Sequence, residues 1–253
     1  MYGDDPLSRA AVDAVDVDGV MGEVLDLSEH LRDALWRVQS ANIAPKPAPG
    51  GLQVVGVDGL EQGGELARQA LIPGLSAPLT VTHGAPAPRD LPTTVLLASY
   101  SGNDAAVIDA FTVTRRSQRV VLTTGGELAA AARAAAVPVV PLPGGFPQPQ
   151  LAIGYPLVVC LELARLGEIA VNSAAAVELA AAHVARLARQ WGPDADEDSP
   201  AKRVATAQLE GRDPEWAMSV VEAGEGALQQ IVTRLLFGNL VELYTQVLRA
   251  SQP

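Results

Sequence analysis

Apolar positions are spaced in two different ways along this chain. Over residues 20–38, Val20, Val24, Leu27, Leu31, Leu35 and Val38 recur at helical spacing, which predicts a lead-in helix ended by Pro45, Pro47 and Pro49. From residue 52 the pattern changes to short unbroken runs rich in branched residues, at 52–57, 78–82, 94–99, 119–123 and 137–142. Runs that are continuous rather than alternating read as strands buried on both faces. The stretches between them, 63–72, 104–115 and 126–136, are alanine-rich or helix-compatible. Strand alternating with helix predicts an α/β fold with a five-stranded, doubly wound parallel sheet covered on both faces. Further helices are expected at 156–166 and 173–191.

The tail has a different character. Residues 192–200, GPDADEDSP, have the composition of an acidic linker. Beyond them the pattern predicts a helix at 200–210, an ambiguous segment at Ala217–Val221 and a long helix over about 225–249. Too few residues follow Ser199 for a second α/β domain. The expected organisation is a tail and lead-in helix over 1–48, an α/β domain over 49–192, and an acidic linker with C-terminal helices over 193–253. The last helix carries Leu235, Leu236, Phe237, Leu240, Leu243, Tyr244 and Val247, a broader apolar surface than a one-sided helix needs. It should be covered from two directions, and a subunit interface is one source of the second cover. A homodimer is therefore expected.

Composition narrows the partners. A 48% hydrophobic share supports a substantial core. With 29 acidic against 18 basic residues the net charge is −11, which disfavours nucleic acid and anionic lipid. The single cysteine, Cys160, lies in the apolar run 157–161 and reads as a small buried hydrophobe. No disulfide framework is possible, which fits a reducing, cytoplasmic compartment. Asp4, Asp5, Asp13, Asp16 and Asp18 crowd the first residues where a signal peptide would be basic and then apolar, and Pro156 and Glu162 interrupt the run 151–166. No membrane span is expected.

Open parallel sheets bind ligands beyond the carboxyl ends of their strands, where the strand order reverses. That singles out the loops 56–64 and 99–104. The second, Ser99-Tyr100-Ser101-Gly102-Asn103-Asp104, leaves a strand and enters a helix, so its hydroxyls and N–H groups suit an anion. An ordinary turn with Asp104 as helix cap is the competing reading. Gly56, Gly59, Gly63 and Gly64 do not have dinucleotide-fingerprint spacing. No P-loop, zinc cluster or serine-nucleophile elbow is present. The acidic stretch 194–198 reads as a solvated linker rather than a cation site. No cofactor, metal or catalytic residue is assigned.

Four stretches together resemble the SIS-type (sugar isomerase) bifunctional phosphoglucose/phosphomannose isomerases. SYSGND at 99–104 is similar to that family's SYSGNT phosphate loop, TTGGEL at 123–128 and PVVPLPGG at 138–145 follow it, and RLLFGNLVELY at 234–244 resembles the final helix. The resemblance implies a three-layer αβα SIS domain, a dimer, and a sugar or sugar-phosphate ligand held by Gly59, Ser99, Ser101, Gly102, Asn103 and Asp104. The departures point elsewhere. Where the family's first loop reads approximately GMGGSAIGG, residues 56–64 read GVDGLEQGG, so Asp58 replaces a glycine and Leu60 the phosphate-binding serine. Asp104 stands where a threonine is expected. A carboxylate about 4 Å from a phosphate charge costs roughly 4 kcal/mol at an effective dielectric near 20.

The resemblance also implies a second SIS domain after Arg212 bearing a glutamate base and a histidine, and no segment here matches it. His30, His83 and His183 read as surface or satisfied structural histidines. Three functions follow from these features. One is a catalytically inactive SIS module acting as a carbohydrate-derivative-binding or regulatory, scaffolding dimer. A second is an active sugar-phosphate isomerase, and a third a binder of a neutral or cationic sugar that donates to Asp58, Glu61 and Asp104.

Overall fold

The computed structural model describes residues 6–171, 174–212, 214, 216–222 and 224–251. In chain order its elements are α1 (Arg9–Val15), α2 (Val20–Leu25), α3 (Leu27–Ser40), β1 (Leu52–Gly56), α4 (Leu60–Leu71), β2 (Leu79–Thr82), β3 (Thr94–Ala98) and α5 (Ala105–Val113). There follow β4 (Gln118–Thr123), α6 (Gly126–Ala134), β5 (Val139–Pro141), α7 (Gly154–Leu166), α8 (Ala174–Trp191), α9 (Pro200–Leu209), α10 (Ala217–Val221) and α11 (Ala227–Ala250). Contacts divide the chain into two compact units, His30–Glu178 and the residues up to Glu29 joined with those from Leu179 onward.

The first unit holds a five-stranded sheet in the order β2-β1-β3-β4-β5, parallel throughout. Every residue of β1 and β3 is buried, which is why their sequences run apolar without alternation. Helices α5 and α6 cover one face, packing Val107, Phe111, Leu128 and Ala132 against Val55, Val95, Leu97 and Val121. Helices α4 and α7 cover the other. Gly63 and Gly64 allow that layer to close. A Cβ on Gly63 would lie 2.5 Å from Pro156 Cγ, and one on Gly64 would lie 2.9 Å from Val54 Cγ1. The glycine pair therefore presses α4 between α7 and β1. The result is the three-layer αβα arrangement expected from the sequence, with all five strands in place.

The apolar segment Pro149–Leu166 has the length and mean hydropathy of a membrane span, and 78% of it is buried inside the protein. It is the core helix of this unit together with the 3-10 turn before it. Cys160 on α7 is fully buried, and burial pushes its thiol pKa upward.

Two expectations are corrected here. The lead-in helix is divided, with α2 ending at the Asp26 N–H bond to the Gly22 carbonyl and α3 starting beyond it. The carboxylate of Asp16 accepts from the N–H groups of Val20 (2.9 Å) and Met21 (2.7 Å), so α2 starts where the helical spacing begins, while the apolar spacing runs across the break at Asp26 without marking it. The segment 192–200 is not a free linker. Lys202, 1% exposed, donates to the carbonyls of Pro193 (3.0 Å) and Ala195 (2.8 Å), and Arg9 pairs with Asp194 at 2.5 Å.

In the second unit α11 packs against α9, α2, α1 and α10. Leu236, Phe237, Leu240, Leu243, Tyr244 and Val247 are all buried within the chain. Tyr244 donates its hydroxyl to the Trp191 carbonyl at 2.7 Å, and the Trp191 and Phe237 rings meet edge to face. The second cover sought for this helix is thus supplied by the subunit's own helices.

Candidate functional site

The strand ends fix where a site can form. Gly56 of β1 pairs with Ala98 of β3, Ala98 with Leu122 of β4, and Thr123 with Pro141 of β5. Four strands therefore finish level, and the loops after them share one edge of the sheet. The strand order reverses between β1 and β3, so the 57–59 and 99–104 loops flank the switch point. All six residues singled out from the sequence lie in these two loops.

The 99–104 loop is closed upon itself and upon the turn after β4. Ser99 is fully buried and its Oγ accepts from the Gly102 N–H at 3.0 Å. Ser101 Oγ accepts from the Asn103 N–H at 3.2 Å. Asp104 is the N-cap of α5, its Oδ1 accepting from the Val107 N–H at 3.2 Å. The N-terminus of α6 is held from the same loop, because Asn103 Oδ1 accepts from Glu127 N–H (3.0 Å) and the Gly102 carbonyl from Leu128 N–H (2.8 Å). The Tyr100 carbonyl accepts from both the N–H and the hydroxyl of Thr124. Gly102 has φ +70, and a Cβ there would lie 2.0 Å from the Gly125 carbonyl oxygen. Glycine is required at that crossing.

These bonds make Asp104 the N-cap of α5. A helix N-terminus attracts anions through its unpaired N–H groups and its dipole. Here a protein carboxylate already occupies that position at α5. The serines likewise spend acceptor capacity on loop N–H groups.

The 57–59 loop differs from a phosphate cradle in another way. Asp58 is exposed and adopts φ +60, Gly59 follows at φ +86, and Leu60 is 0% exposed. Leucine at 60 is thus a core residue facing inward. A Cβ on Gly59 would lie 2.9 Å from Gln150 Cβ, so the loop is pressed against the turn that precedes α7. Glu61 stands in the first turn of α4, with its N and Cα 2.8 and 2.9 Å from where a Gly56 Cβ would be. Its Oε2 is buried and has no hydrogen-bond partner.

One group of side chains beside the loop has no clear sequence signal. Tyr100 accepts the Phe146 N–H on its hydroxyl at 3.1 Å, and the Phe146 ring lies edge-on to His30 (5.1 Å), Tyr155 (6.1 Å) and Tyr100 (6.4 Å). Tyr155 donates to Asp33 Oδ2 at 2.8 Å, and Arg37 pairs with the same carboxylate at 2.5 Å. His30, read from the sequence as structural, is buried in this aromatic cluster next to the candidate loop. Helical spacing placed it on a lead-in helix but could not place that helix against the sheet edge.

No protein-family model matches the chain, and no curated protein matches it significantly. Solved structures do. A hypothetical protein from Thermus thermophilus superposes with a TM-score of 0.58 at 18% identity, covering 81% of this chain and 52% of its own. A "putative phosphosugar isomerase" from Salmonella typhimurium gives a TM-score of 0.45 at 17% identity, covering 73% and 55%. The chain spans about half the length of these structures. The first likeness establishes a shared α/β fold. The second is too loose to bear on function.

Proposed function

We propose that this chain is a SIS-type module that binds a carbohydrate derivative at the β1/β3 switch point without isomerising it, in a regulatory or scaffolding role. The observation carrying this reading is the Asp104 cap on α5, which puts a carboxylate where a sugar phosphate would take the helix N–H groups. The buried hydroxyl of Ser99 and the inward Leu60 support it, since neither has the placement of a phosphate-gripping residue. The relation to phosphoglucose/phosphomannose isomerases belongs to this proposal and rests on the SYSGND, TTGGEL and PVVPLPGG stretches. Assembly as a homodimer is proposed with it and does not rely on α11.

A thermal-shift series tests the reading, because a ligand that prefers the native state stabilises it by an amount that grows with the logarithm of ligand concentration over Kd. Millimolar unphosphorylated sugars, amino sugars and sugar 6-phosphates are the probes. At least one sugar derivative should raise the melting temperature, with the effect lost when Asp104 is replaced by alanine. No response to any of them would overturn the proposal.

A further inference from the structure

A cavity of about 500 Å³ opens at the other end of the sheet, between the chain before β1, the turn into β3 and the turn into β4. It lies wholly within the unit His30–Glu178. Thr94 and Gln118, paired at the start of β3 and β4, both line it. Strand β3 runs from Thr94 to Ala98, about 13 Å at the rise of a strand, so the cavity is separate from the switch-point loops. Its walls are pinned. The Lys46 N–H donates to the Leu166 carbonyl (3.1 Å), the Gly50 N–H to the Pro92 carbonyl (2.8 Å) and the Gln118 N–H to the Thr93 carbonyl (3.1 Å). The Gln118 side chain donates to the Ala44 carbonyl at 3.1 Å. These bonds tie together three segments distant in sequence without spending their charged groups.

Charge sets this cavity apart in a chain carrying −11 overall. Lys46, Arg89 and Arg116 line it against one carboxylate, Asp90, a local balance of three minus one, or +2. All four are exposed, and none has an ion-pair partner among the described residues. Cations in the cavity beside α9 are already engaged, Lys202 by carbonyls, Arg212 by Glu210 and Arg203 on the Trp216 ring. Like charges gathered without a counter-ion repel one another, and an anion that joins them relieves the repulsion. Two of the three are arginines, whose planar forks match phosphate oxygens. Leu91, 57% exposed, and Pro92 add an apolar wall. Convergent donors beside apolar surface are what a small-molecule site requires.

We propose that this cavity binds a small phosphomonoester with a ring-bearing body, its phosphate held by Lys46, Arg89 and Arg116 and its ring laid against Leu91 and Pro92. The site is independent of the switch point and of the function proposed there.

Calorimetry of the whole chain at low ionic strength, with adenosine monophosphate, adenosine and inorganic phosphate as probes, tests this directly. Adenosine monophosphate should bind at least tenfold more tightly than either of the others, and its affinity should fall as salt is raised, because exposed charges are screened. Arg89→Gln and Arg116→Gln each remove one donor fork, and together they should cost tenfold or more in affinity. Both side chains are exposed, so the melting temperature should hold. Asp90→Asn removes the opposing charge and should raise the affinity about twofold to fivefold. Adenosine or inorganic phosphate binding as tightly as adenosine monophosphate would overturn the ligand class. Absence of adenosine monophosphate binding at millimolar concentration would overturn the site. Affinity unchanged in the double variant, or lowered by Asp90→Asn, would overturn the role of these charges.

Discussion

Replacing Asp104 separates its two roles, as helix cap and as barrier to phosphate. Asp104→Ala removes the acceptor for the Val107 N–H at the start of the nine-residue α5. Loss of such a cap costs about 1 kcal/mol, which lowers the melting temperature of a chain this size by about 2–4 °C. Asp104→Thr keeps a capping hydroxyl and removes the charge, so its stability should stay within about 0.5 kcal/mol of the native protein. The full interaction of a carboxylate with a phosphate charge about 4 Å away is about 4 kcal/mol at an effective dielectric near 20. Asp104 is half-buried, and solvent screens part of that. A gain of about tenfold in glucose 6-phosphate affinity, or about 1.4 kcal/mol, is the expected outcome for Asp104→Thr. The gain should shrink as salt is raised from about 10 mM to about 1 M, because the screening length falls from about 30 Å to about 3 Å. Calorimetry at the two ionic strengths reads both effects. If Asp104→Ala is destabilised as stated while Asp104→Thr leaves phosphosugar binding unchanged, the carboxylate is not what keeps phosphate out.

Three further outcomes follow from named contacts. Gly102→Ala should cost at least about 2 kcal/mol in denaturant unfolding, since a side chain is strained at φ +70 and its Cβ would strike the Gly125 carbonyl; a cost under about 0.5 kcal/mol would show the loop to be loosely held. Leu60→Ser, which restores the residue of the resembled family, should destabilise by about 2–5 kcal/mol and add no phosphate affinity, because the side chain faces the core. The Cys160 thiol is raised in the fold by burial, so above the unfolded thiol value of about 8.5 the unfolded state releases its proton first and stability falls by about 1.4 kcal/mol per pH unit. Cys160→Ala should flatten that alkaline slope, and an unchanged slope would mean that other groups set it.

How much of this was legible in the sequence depended on where the information lay. Unbroken branched runs such as 94–99 mark strands buried on both faces, and their alternation with helical stretches fixed the parallel sheet. The residues of the 99–104 loop were legible as a candidate site, because a strand-to-helix turn at a switch point is a local feature. Which atoms their side chains would bond was not, since Ser99 meets Gly102, and Asn103 meets Glu127, only after the β4 turn packs beside the loop. The inward direction of Leu60 was hidden for a similar reason. Apolar residues in a glycine-rich loop have no period from which a facing direction can be read. The break between α2 and α3 was hidden because the apolar spacing continues across Asp26 unaltered. The acidic segment 192–200 looked like solvent-exposed linker because its anchor, Lys202, stands in the next helix and holds it by carbonyls that no sequence pattern displays. The breadth of the apolar surface on α11 was visible, but not that α9, α1, α2 and α10 would cover it.

Whether the chain binds without isomerising is read by a coupled assay of fructose 6-phosphate conversion at high micromolar protein, following glucose 6-phosphate and mannose 6-phosphate formation separately. No turnover above the protein-free rate is expected for either product. Turnover that copurifies with the chain and disappears on substitution of Glu61 or His30 would contradict it.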